Sequence, residues 1–337
     1  MMASPNFTSS LKYDANLFIS ELAEASTRIG YLNARVKLCK FASSLKSIFR
    51  SKEMWASACI DDTKITFEQM KAEEVKERKP EFLAALAYNN ISSGMQKGES
   101  LLEGADFSTK LIQKVQKNAN GEPSSSKSPI PIENFRADFS KKNMDAFVRY
   151  VNDKSENSPP LIRAAVIHLL FAKLAPFEEG NHRTNRILDG LFKKYAGIVP
   201  DYFFYMSEAI KENKDPYFAA IAKDYGTDIS EWIGFYLKLV SLQANKNLSV
   251  IDKLDSLYER TAQKMRNVVS SPKFDLIMES LFKHPYINSK MLSDQIGVTV
   301  GQAKRYLENL EEAKIVHGGD FKRNKIYSFL DIWDAMR

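Results

Sequence analysis

The chain has 337 residues, of which 44% are hydrophobic and 27% are charged, a composition that suits two or three globular domains with buried cores. No apolar run approaches the length of a membrane span, the first ten residues lack the apolar core of a signal peptide, and Cys39 and Cys59 are too few for a disulfide framework. We therefore expect a cytoplasmic protein with no membrane partner, and the net charge of +6 would assist binding of ATP or nucleic acid without indicating either.

Helical periodicity dominates the first 150 residues. Apolar residues at helical spacing predict a helix from about residue 16 to residue 60. Asp61 and Asp62 interrupt it, and Thr66 with Gln69 forms a capping-box pattern that opens the next helix. Further helices are predicted over residues 81–88, 108–117 and 143–151. Between residues 118 and 142, prolines, a glycine and a serine run predict an exposed loop or β-hairpin.

Two apolar helices flank a polar turn near the middle of the chain. The first opens after Ser158-Pro159-Pro160, and the second follows the turn and ends at Gly197. Each carries an apolar face, so we expect both to be core helices that hold the turn between them rigidly. A further helical block is predicted to extend to about residue 265.

The last 65 residues have a different pattern. Helices are predicted over residues 274–282, from residue 287 and over residues 299–311, and two strands are predicted at 315–317 and 325–329. This order resembles a winged helix-turn-helix. The cations that could contact DNA phosphates are Lys304, Arg305, Lys322, Arg323 and Lys325, and Thr299, Gln302 and Arg305 lie on a plausible groove-facing side.

The charge of this region is nearly balanced. Residues 273–337 contain ten Lys and Arg against nine Asp and Glu, whereas DNA-binding modules are usually far more basic. DNA binding through residues 288–325, formation of a homodimer and contact with another protein all remain open.

The turn between the two core helices carries the most informative residues. Residues 173–187 read KLAPFEEGNHRTNRI, in which an acidic pair and a Gly-Asn turn precede a helix that begins with His182, Arg183 and, one turn later, Arg186. A helix N-terminus offers unpaired amides to anions, and glycine lets the backbone approach closely. A carboxylate nearby can hold Mg²⁺ beside phosphates. The pattern therefore predicts a site for a metal-bound polyphosphate.

This stretch closely resembles the signature of the Fic (Fido) family, His-x-Phe-x-(Asp/Glu)-Gly-Asn-Gly-Arg-x-x-Arg. The matching residues are Phe177, Glu179, Gly180, Asn181, Arg183 and Arg186. Two positions differ, because the family's histidine falls on Ala175 and the third residue of its Gly-Asn-Gly falls on His182. Most Fic proteins transfer AMP from ATP to a hydroxyl of a target protein, and the histidine is their general base. The resemblance therefore implies ATP and Mg²⁺ as ligands and a target protein of unknown identity, with little or no transfer by the chain as written.

The resemblance also assigns roles to the residues of the turn. Glu179 would bind Mg²⁺ rather than only stabilise the helix dipole. Gly180, Asn181 and the amide of His182 would form the anion hole for the phosphates. The His182 side chain either caps the helix or contacts phosphate. Ala175 cannot take a proton, and it is either a natural replacement or an engineered inactivating change.

The arginines and the aromatic residues downstream complete the implied site. Arg183 and Arg186 would clamp phosphates rather than form purely structural ion pairs. Tyr217 and Phe218 match the aromatic pair that lies near the adenine in the family. His168 is predicted to be a core histidine satisfied by the backbone, not a replacement for the missing base.

An upstream segment, residues 53–68, resembles the inhibitory segment of some Fic proteins, whose pattern is (Ser/Thr)-x-x-x-Glu-(Gly/Asn). Ser57 matches, and the glutamate falls on Asp61. In the family that glutamate pairs with the second arginine, here Arg186, and blocks productive ATP binding. Because aspartate is one methylene shorter, we expect it to reach the arginine poorly and the inhibition to be weakened.

These patterns together predict an all-α Fic-type core with a small β-hairpin flap, followed by an α+β winged helix-turn-helix of the kind that accompanies many bacterial Fic proteins. The predicted boundaries are residues 1–107 for an N-terminal helical region, 108–245 for the core, 246–270 for a linker helix and 271–337 for the winged helix. The flap's usual Gly-x-(Phe/Trp)-Arg pattern is not evident at residues 121–124. Three functions remain: an impaired AMP transferase, a natural pseudoenzyme that senses a nucleotide, and a DNA-binding regulator.

Overall fold

The computed structural model describes residues 11–73, 75, 83–121, 140–269, 272–319 and 325–336. These residues are mostly helical, as predicted. The helices are α1 (Ile19–Leu38), α2 (Ala42–Ile60), α3 (Phe67–Glu73), α4 (Leu83–Leu102), α5 (Thr109–Asn120), α6 (Lys141–Asn152), α7 (Pro160–Leu174), α8 (Asn181–Tyr195), α9 (Ser207–Glu212), α10 (Lys214–Ala222), α11 (Ser230–Arg266), α12 (Phe274–Lys283), α13 (Ser289–Ile296), α14 (Val300–Glu312) and α15 (Asp331–Met336). The strands are β1 (Tyr286–Asn288), β2 (His317–Gly318) and β3 (Ile326–Ser328). Most of the predicted loop or hairpin over residues 118–142 lies outside the described residues.

The chain divides into two compact units. The first comprises the described residues of Met1–Asn33, Lys52–Lys64 and Phe82–Asn245, and the second those of Ala34–Ser51, Ile65–Glu81 and Lys246–Arg337. The predicted boundary at residues 245–246 falls inside α11, which is one uninterrupted helix. Among the described helices, none is long and apolar enough to span a membrane.

The core of the first unit forms around α8. Helix α4 packs on α5, both pack on α8, and α7 packs on α8 from its own side. Small residues permit this close packing: a Cβ on Gly94 would lie 2.6 Å from Ala119 Cβ, and one on Gly98 would lie 2.5 Å from Leu191 Cδ1. Helix α7 is buried along most of its length, and its Ala165 carbonyl accepts a hydrogen bond from the Trp232 indole of α11 at 2.7 Å. The turn from α7 to α8 is therefore held at both ends by buried helices.

The second unit contains the small sheet. Its strand order is β1-β3-β2, and both pairings are antiparallel, with Ile287 opposite Tyr327 and Gly318 opposite Tyr327 on the other side. The sequence predicted the last two strands but not β1, which precedes α13 and uses Asn288 as the helix N-cap. A three-residue strand beside a cap gives too short an alternation to be detected. Gly297 ends α13 in the left-handed conformation, as a turn glycine should.

One predicted element needs correction. The long helix expected over residues 16–60 is broken between α1 and α2 at residues 39–41. Phe41 is only 3% exposed in the second unit, where its ring lies 5.2 Å from those of Tyr258 and Phe282. Burial of this ring stabilises the break more than continued helix would, which periodicity alone does not reveal. The predicted capping box is confirmed, because Thr66 and Gln69 exchange hydrogen bonds of 3.0 and 3.1 Å.

Candidate functional site

The turn from α7 to α8 is fixed by its own hydrogen bonds. Ala175 ends α7 in the left-handed conformation, with φ 37° and ψ 60°, and its amide donates to the Phe171 carbonyl. The Asn181 side chain accepts from the Phe177 amide at 2.9 Å and donates to the Phe177 carbonyl at 2.8 Å. Asn181 therefore positions the turn with its side chain and leaves only its amide for an anion.

The start of α8 presents free amides. The first bond to a carbonyl four residues back is donated by Thr184 to Gly180, at 2.9 Å. The amides of Asn181, His182 and Arg183 precede it, so they have no partner within the helix. Three amides and the positive end of the helix dipole make this a favourable place for an anion.

Gly180 is required at its position for two reasons. It has a φ of 75°, where L-residues are strained, and a Cβ there would lie 2.3 Å from the Asn120 side chain. We expect Gly180→Ala to lower the free energy of unfolding by about 1–2 kcal/mol from the backbone alone, and by more because of the clash. Chemical denaturation would measure the combined loss of stability from the backbone and the clash.

Gly104 offers a matched control for this substitution. Its φ is 69°, but no atom lies within 4 Å of the position that a Cβ would take, so Gly104→Ala should show the backbone cost without the clash. The double change Gly180→Ala with Asn120→Ala should recover the difference. Equal costs at Gly180 and Gly104 would contradict the close packing against Asn120.

Both arginines of the motif are held by the end of α2. Arg186 donates through Nε to Ser57 Oγ at 2.9 Å and through Nη2 to the Ser57 carbonyl at 3.1 Å. Arg186 Nη2 also lies 3.1 Å from Asp61 Oδ1, and Arg183 contacts Asp61 Oδ2 through Nε at 2.8 Å and Nη2 at 2.7 Å. One carboxylate thus bridges two guanidinium groups.

This arrangement corrects the expectation that Asp61 would reach the arginine poorly. The backbone of α2 comes close enough for the Ser57 carbonyl itself to contact Arg186, so the shorter side chain suffices. Burial alone would raise the pKa of Asp61, but the charges and hydrogen bonds of Arg186 and Arg183 hold the pKa below its ordinary value. Asp61 is therefore ionised at neutral pH and presents its carboxylate to both guanidinium groups.

The buried arginine keeps one free donor. Arg186 is 2% exposed, and its Nη1 is buried without a hydrogen-bond partner among the described residues. A buried unpaired donor is costly, and it is rare unless a ligand or water satisfies it. A phosphoryl group, with more acceptor sites than a carboxylate, could engage this nitrogen.

His182 lies at the edge of the same site. Its ring contacts that of Phe218 edge-on, with 5.1 Å between centroids. Burial, together with the charges of Arg186 and His168, lowers the pKa of His182, so its imidazole is neutral at neutral pH. The Phe218 ring remains partly exposed, so it can still lie against an adenine, as the sequence predicts.

Tyr217 does not fit the same prediction. It is fully buried, and its hydroxyl lies 2.7 Å from His168 Nε2, so it has no surface to offer an adenine. The buried position predicted for His168 is correct, but its imidazole bonds to a side chain rather than to the backbone: Nε2 lies 2.7 Å from the Tyr217 hydroxyl, while Nδ1 lies 3.4 Å from Asp189 Oδ1 without a hydrogen bond. The spacing of the sequence could not show this pairing between α7, α8 and α10.

Glu179, the predicted Mg²⁺ ligand, is exposed. Its carbonyl accepts from Gln116 Nε2 at 3.3 Å, and its carboxylate makes no hydrogen bond or ion pair with the described residues. The described residues contain no group of three or more His, Cys, Asp or Glu side chains that could hold a metal. A single free carboxylate suits Mg²⁺, which usually takes one or two carboxylates and completes its shell with phosphates and water. The donor set fits an ion that arrives with a nucleotide.

A pair of acidic residues near α9 was not singled out from the sequence. Glu53, 3% exposed, accepts from the Ser207 amide at 2.9 Å and from the Ser207 hydroxyl at 2.5 Å. Next to it, Lys52 forms a buried ion pair with Glu208 at 3.0 Å. The sequence does contain a pattern that points to Glu53. Glu53, Ser57 and Asp61 follow one another at intervals of four residues, a spacing that places residues on one face of a helix.

A cavity of about 960 Å³ lies elsewhere in the first unit. Its lining includes Glu99, Glu103, Asp106, Lys194 and Tyr195, near the C-terminal end of α8. None of the residues predicted to bind the nucleotide lines it. We place the candidate site at the other end of α8, where the arginines and free amides lie, because a polyphosphate needs those groups rather than volume alone.

Two of the cations predicted to face DNA form ion pairs with glutamates in the second unit. Lys304 pairs with Glu308 at 3.6 Å, and Lys325 pairs with Glu311 at 2.7 Å. Thr299 and Gln302 form the capping box of α14 rather than a free recognition surface. Arg305 is exposed, and Lys322 and Arg323 lie outside the described residues.

Comparison with known proteins finds a family similarity in the middle of the chain. Residues 109–192 match the model of the Fic/DOC family. The structure is similar to that of a Fic family protein from Desulfovibrio desulfuricans G20, with a TM-score of 0.54 and 14% identity over 93% of this chain and 95% of that one. It is also similar to a variant of Fic-1 from C. elegans, with a TM-score of 0.51 and 14% identity over 69% of this chain and 74% of that one. At these identities the likeness shows a shared fold.

Proposed function

We propose that this chain, whose residues 109–192 form a Fic/DOC family domain, binds a magnesium nucleotide at the start of α8 and is built for AMP transfer to a protein hydroxyl. The family suggests AMPylation or a related nucleotide transfer. The observation that carries the proposal is that Arg183 and Arg186 already bind one anion, the Asp61 carboxylate, beside three free amides. ATP is the proposed nucleotide.

Each group of the site has a defined role in this proposal. Arg183, Arg186 and the amides of residues 181–183 bind the phosphates, and Glu179 holds Mg²⁺. When bound, the ion would offset negative charge on the phosphates. Phe218 lies beside the adenine of the nucleotide. His182 is neutral at neutral pH, so it contributes a hydrogen bond rather than a charge.

The same geometry restrains the activity at two points. Asp61 occupies the two guanidinium groups that the phosphates need, so nucleotide binding requires that the end of α2 withdraw. Ala175 offers only a methyl group where the family places its base, so the proton of an attacking hydroxyl has no acceptor there. We therefore propose a closed nucleotide site with an impaired transfer step, and the alternative is a pseudoenzyme that only senses the nucleotide.

Asp61→Ala is expected to tighten the binding of Mg-ATP by about tenfold or more, because it removes the carboxylate that competes with the phosphates. Isothermal titration calorimetry of the native chain and the variant would measure the change. Ser57 continues to accept two hydrogen bonds from Arg186 in the variant, so the arginine keeps its position.

Asp62→Ala is the matched control for Asp61→Ala. Asp62 is the next residue and carries the same charge, but its exposed side chain pairs with Lys214 rather than with the motif arginines. We expect it to leave nucleotide affinity nearly unchanged. If Asp61→Ala gave no binding heat at about millimolar Mg-ATP, the upper end of the range of Michaelis constants typical of enzymes, the proposed nucleotide site would be refuted.

A further inference from the structure

The end of α2 and the residue after it, which belong to the first unit, contact the rest of that unit at two places. Glu53 and Ser57 lie on one face of α2, four residues apart, and Asp61 follows Ser57 at the same interval, directly after the helix ends at Ile60. Ser57 and Asp61 contact the arginines of α8, and Glu53 contacts Ser207 at the start of α9. Because the helix between them is rigid, the attachment at Glu53 sets where Asp61 lies.

The attachment at Glu53 depends on an unusual carboxylate. It is almost fully buried, and among the described residues it forms hydrogen bonds only with Ser207 and pairs with no cation. Withdrawal of α2 would return it to water. Burial destabilises an ionised carboxylate much more than a protonated one. The docked position therefore favours the protonated form of Glu53.

The groups around Glu53 do not cancel this preference. The other titratable or charged groups near it, from α2, α8, α9 and α10, are Lys52, Arg186, Asp189, Lys193, Glu208 and Tyr217. Burial is the largest influence and raises the pKa of Glu53 to about 7, although its bonds to Ser207 and the charge of Arg186 act in the opposite direction. The charge of Asp189 adds to the increase.

We propose that Glu53 is a positioning residue whose protonation holds the end of α2 in place, so that Asp61 blocks the arginines more firmly at low pH and the nucleotide site opens as pH rises. This inference rests on the proposed nucleotide site and adds a pH-dependent control to it. The pKa of Glu53 is raised while α2 is docked. The stability that protonation of Glu53 adds to docking is therefore fully present below the ordinary pKa of 4.5 and is lost as pH rises through about 7.

Asp61, the other acidic residue that holds this segment against α8, does not titrate in this pH range. Asp61 has a lowered pKa when docked, so its own contribution is present above its ordinary value of 3.8 and is lost only at lower pH. His182 lies in the site and its pKa is below 6.5, but it belongs to α8 and remains in every α2 variant. Comparison of α2 variants therefore isolates Glu53.

The test is the affinity for Mg-ATP, measured by calorimetry at several pH values in the native chain, Glu53→Gln and Asp61→Ala. Relative to Asp61→Ala, which has no blocking carboxylate, the native affinity should increase about tenfold between about pH 6 and about pH 8.5. Glu53→Gln mimics the protonated side chain, so its affinity should remain weak and show no such relative increase. Asp62→Ala removes an exposed acid that contacts neither motif arginine and should keep the native pH dependence.

A second variant gives a result that a merely structural role would not produce. Ser207→Ala removes the hydroxyl that favours ionised Glu53, so it should move the midpoint of the affinity profile to higher pH. If Asp61→Ala binds Mg-ATP but the native chain and Glu53→Gln follow the same profile, or Ser207→Ala leaves the midpoint in place, the role of Glu53 is overturned. If Asp61→Ala binds at no pH, the proposed nucleotide site itself fails.

Discussion

Replacing Ala175 by histidine is expected to raise the rate of AMP transfer by about 10²–10⁴, the usual contribution of a positioned general base. The backbone permits the change, because Ala175 is in the left-handed conformation, which histidine adopts more readily than most residues. The measurement is incorporation of label from radioactive ATP into the chain or an added protein. It is best made with Asp61→Ala present, so that the closed site does not hide the gain.

The control for this experiment is Lys173→His, which places a histidine on the exposed last turn of α7, two residues before the position of the missing base. It should give no increase. A gain from both variants would indicate a nonspecific effect of the imidazole. No gain from Ala175→His, in a variant that binds Mg-ATP, would show that the site has diverged and would favour the nucleotide-sensing alternative.

The features predicted well from sequence are those fixed by neighbouring residues. Gly180 and Asn181 form the turn through contacts within a few residues of themselves, and Thr66 with Gln69 forms the predicted capping box. The helical character of the chain follows from the same short-range periodicity. Such local patterns predicted both core helices and the polar turn where the candidate site lies.

The features missed depend on residues far apart in the chain. The break before α2 depends on where Phe41 packs, and the reach of Asp61 depends on how closely α2 approaches Arg186. The burial of Tyr217 depends on its pairing with His168, 49 positions away. Spacing along one helix shows which face a residue occupies, but it does not show what the face contacts or at what distance.

Asp189→Ala is expected to reduce the free energy of unfolding by about 3–5 kcal/mol, because it leaves a buried ammonium group without its counter-charge. Lys193 is fully buried and its ammonium is bonded to Asp189, which also accepts a hydrogen bond from the Tyr236 hydroxyl. Burial would raise the pKa of Asp189, but Lys193 and His168 hold the pKa well below its ordinary value, so the carboxylate is charged. Urea denaturation would measure the loss.

The informative control is the double change Asp189→Leu with Lys193→Met, which removes both charges and keeps side chains of similar size. We expect it to recover most of the lost stability, because the cost arises from the unpaired charge rather than from lost packing. If the double variant were as unstable as Asp189→Ala, the hydrogen bond from the Tyr236 hydroxyl would be the larger contribution. Because the charges of Asp189 and Lys193 also act on Glu53, the double variant tests the stability of α8 and not the nucleotide affinity.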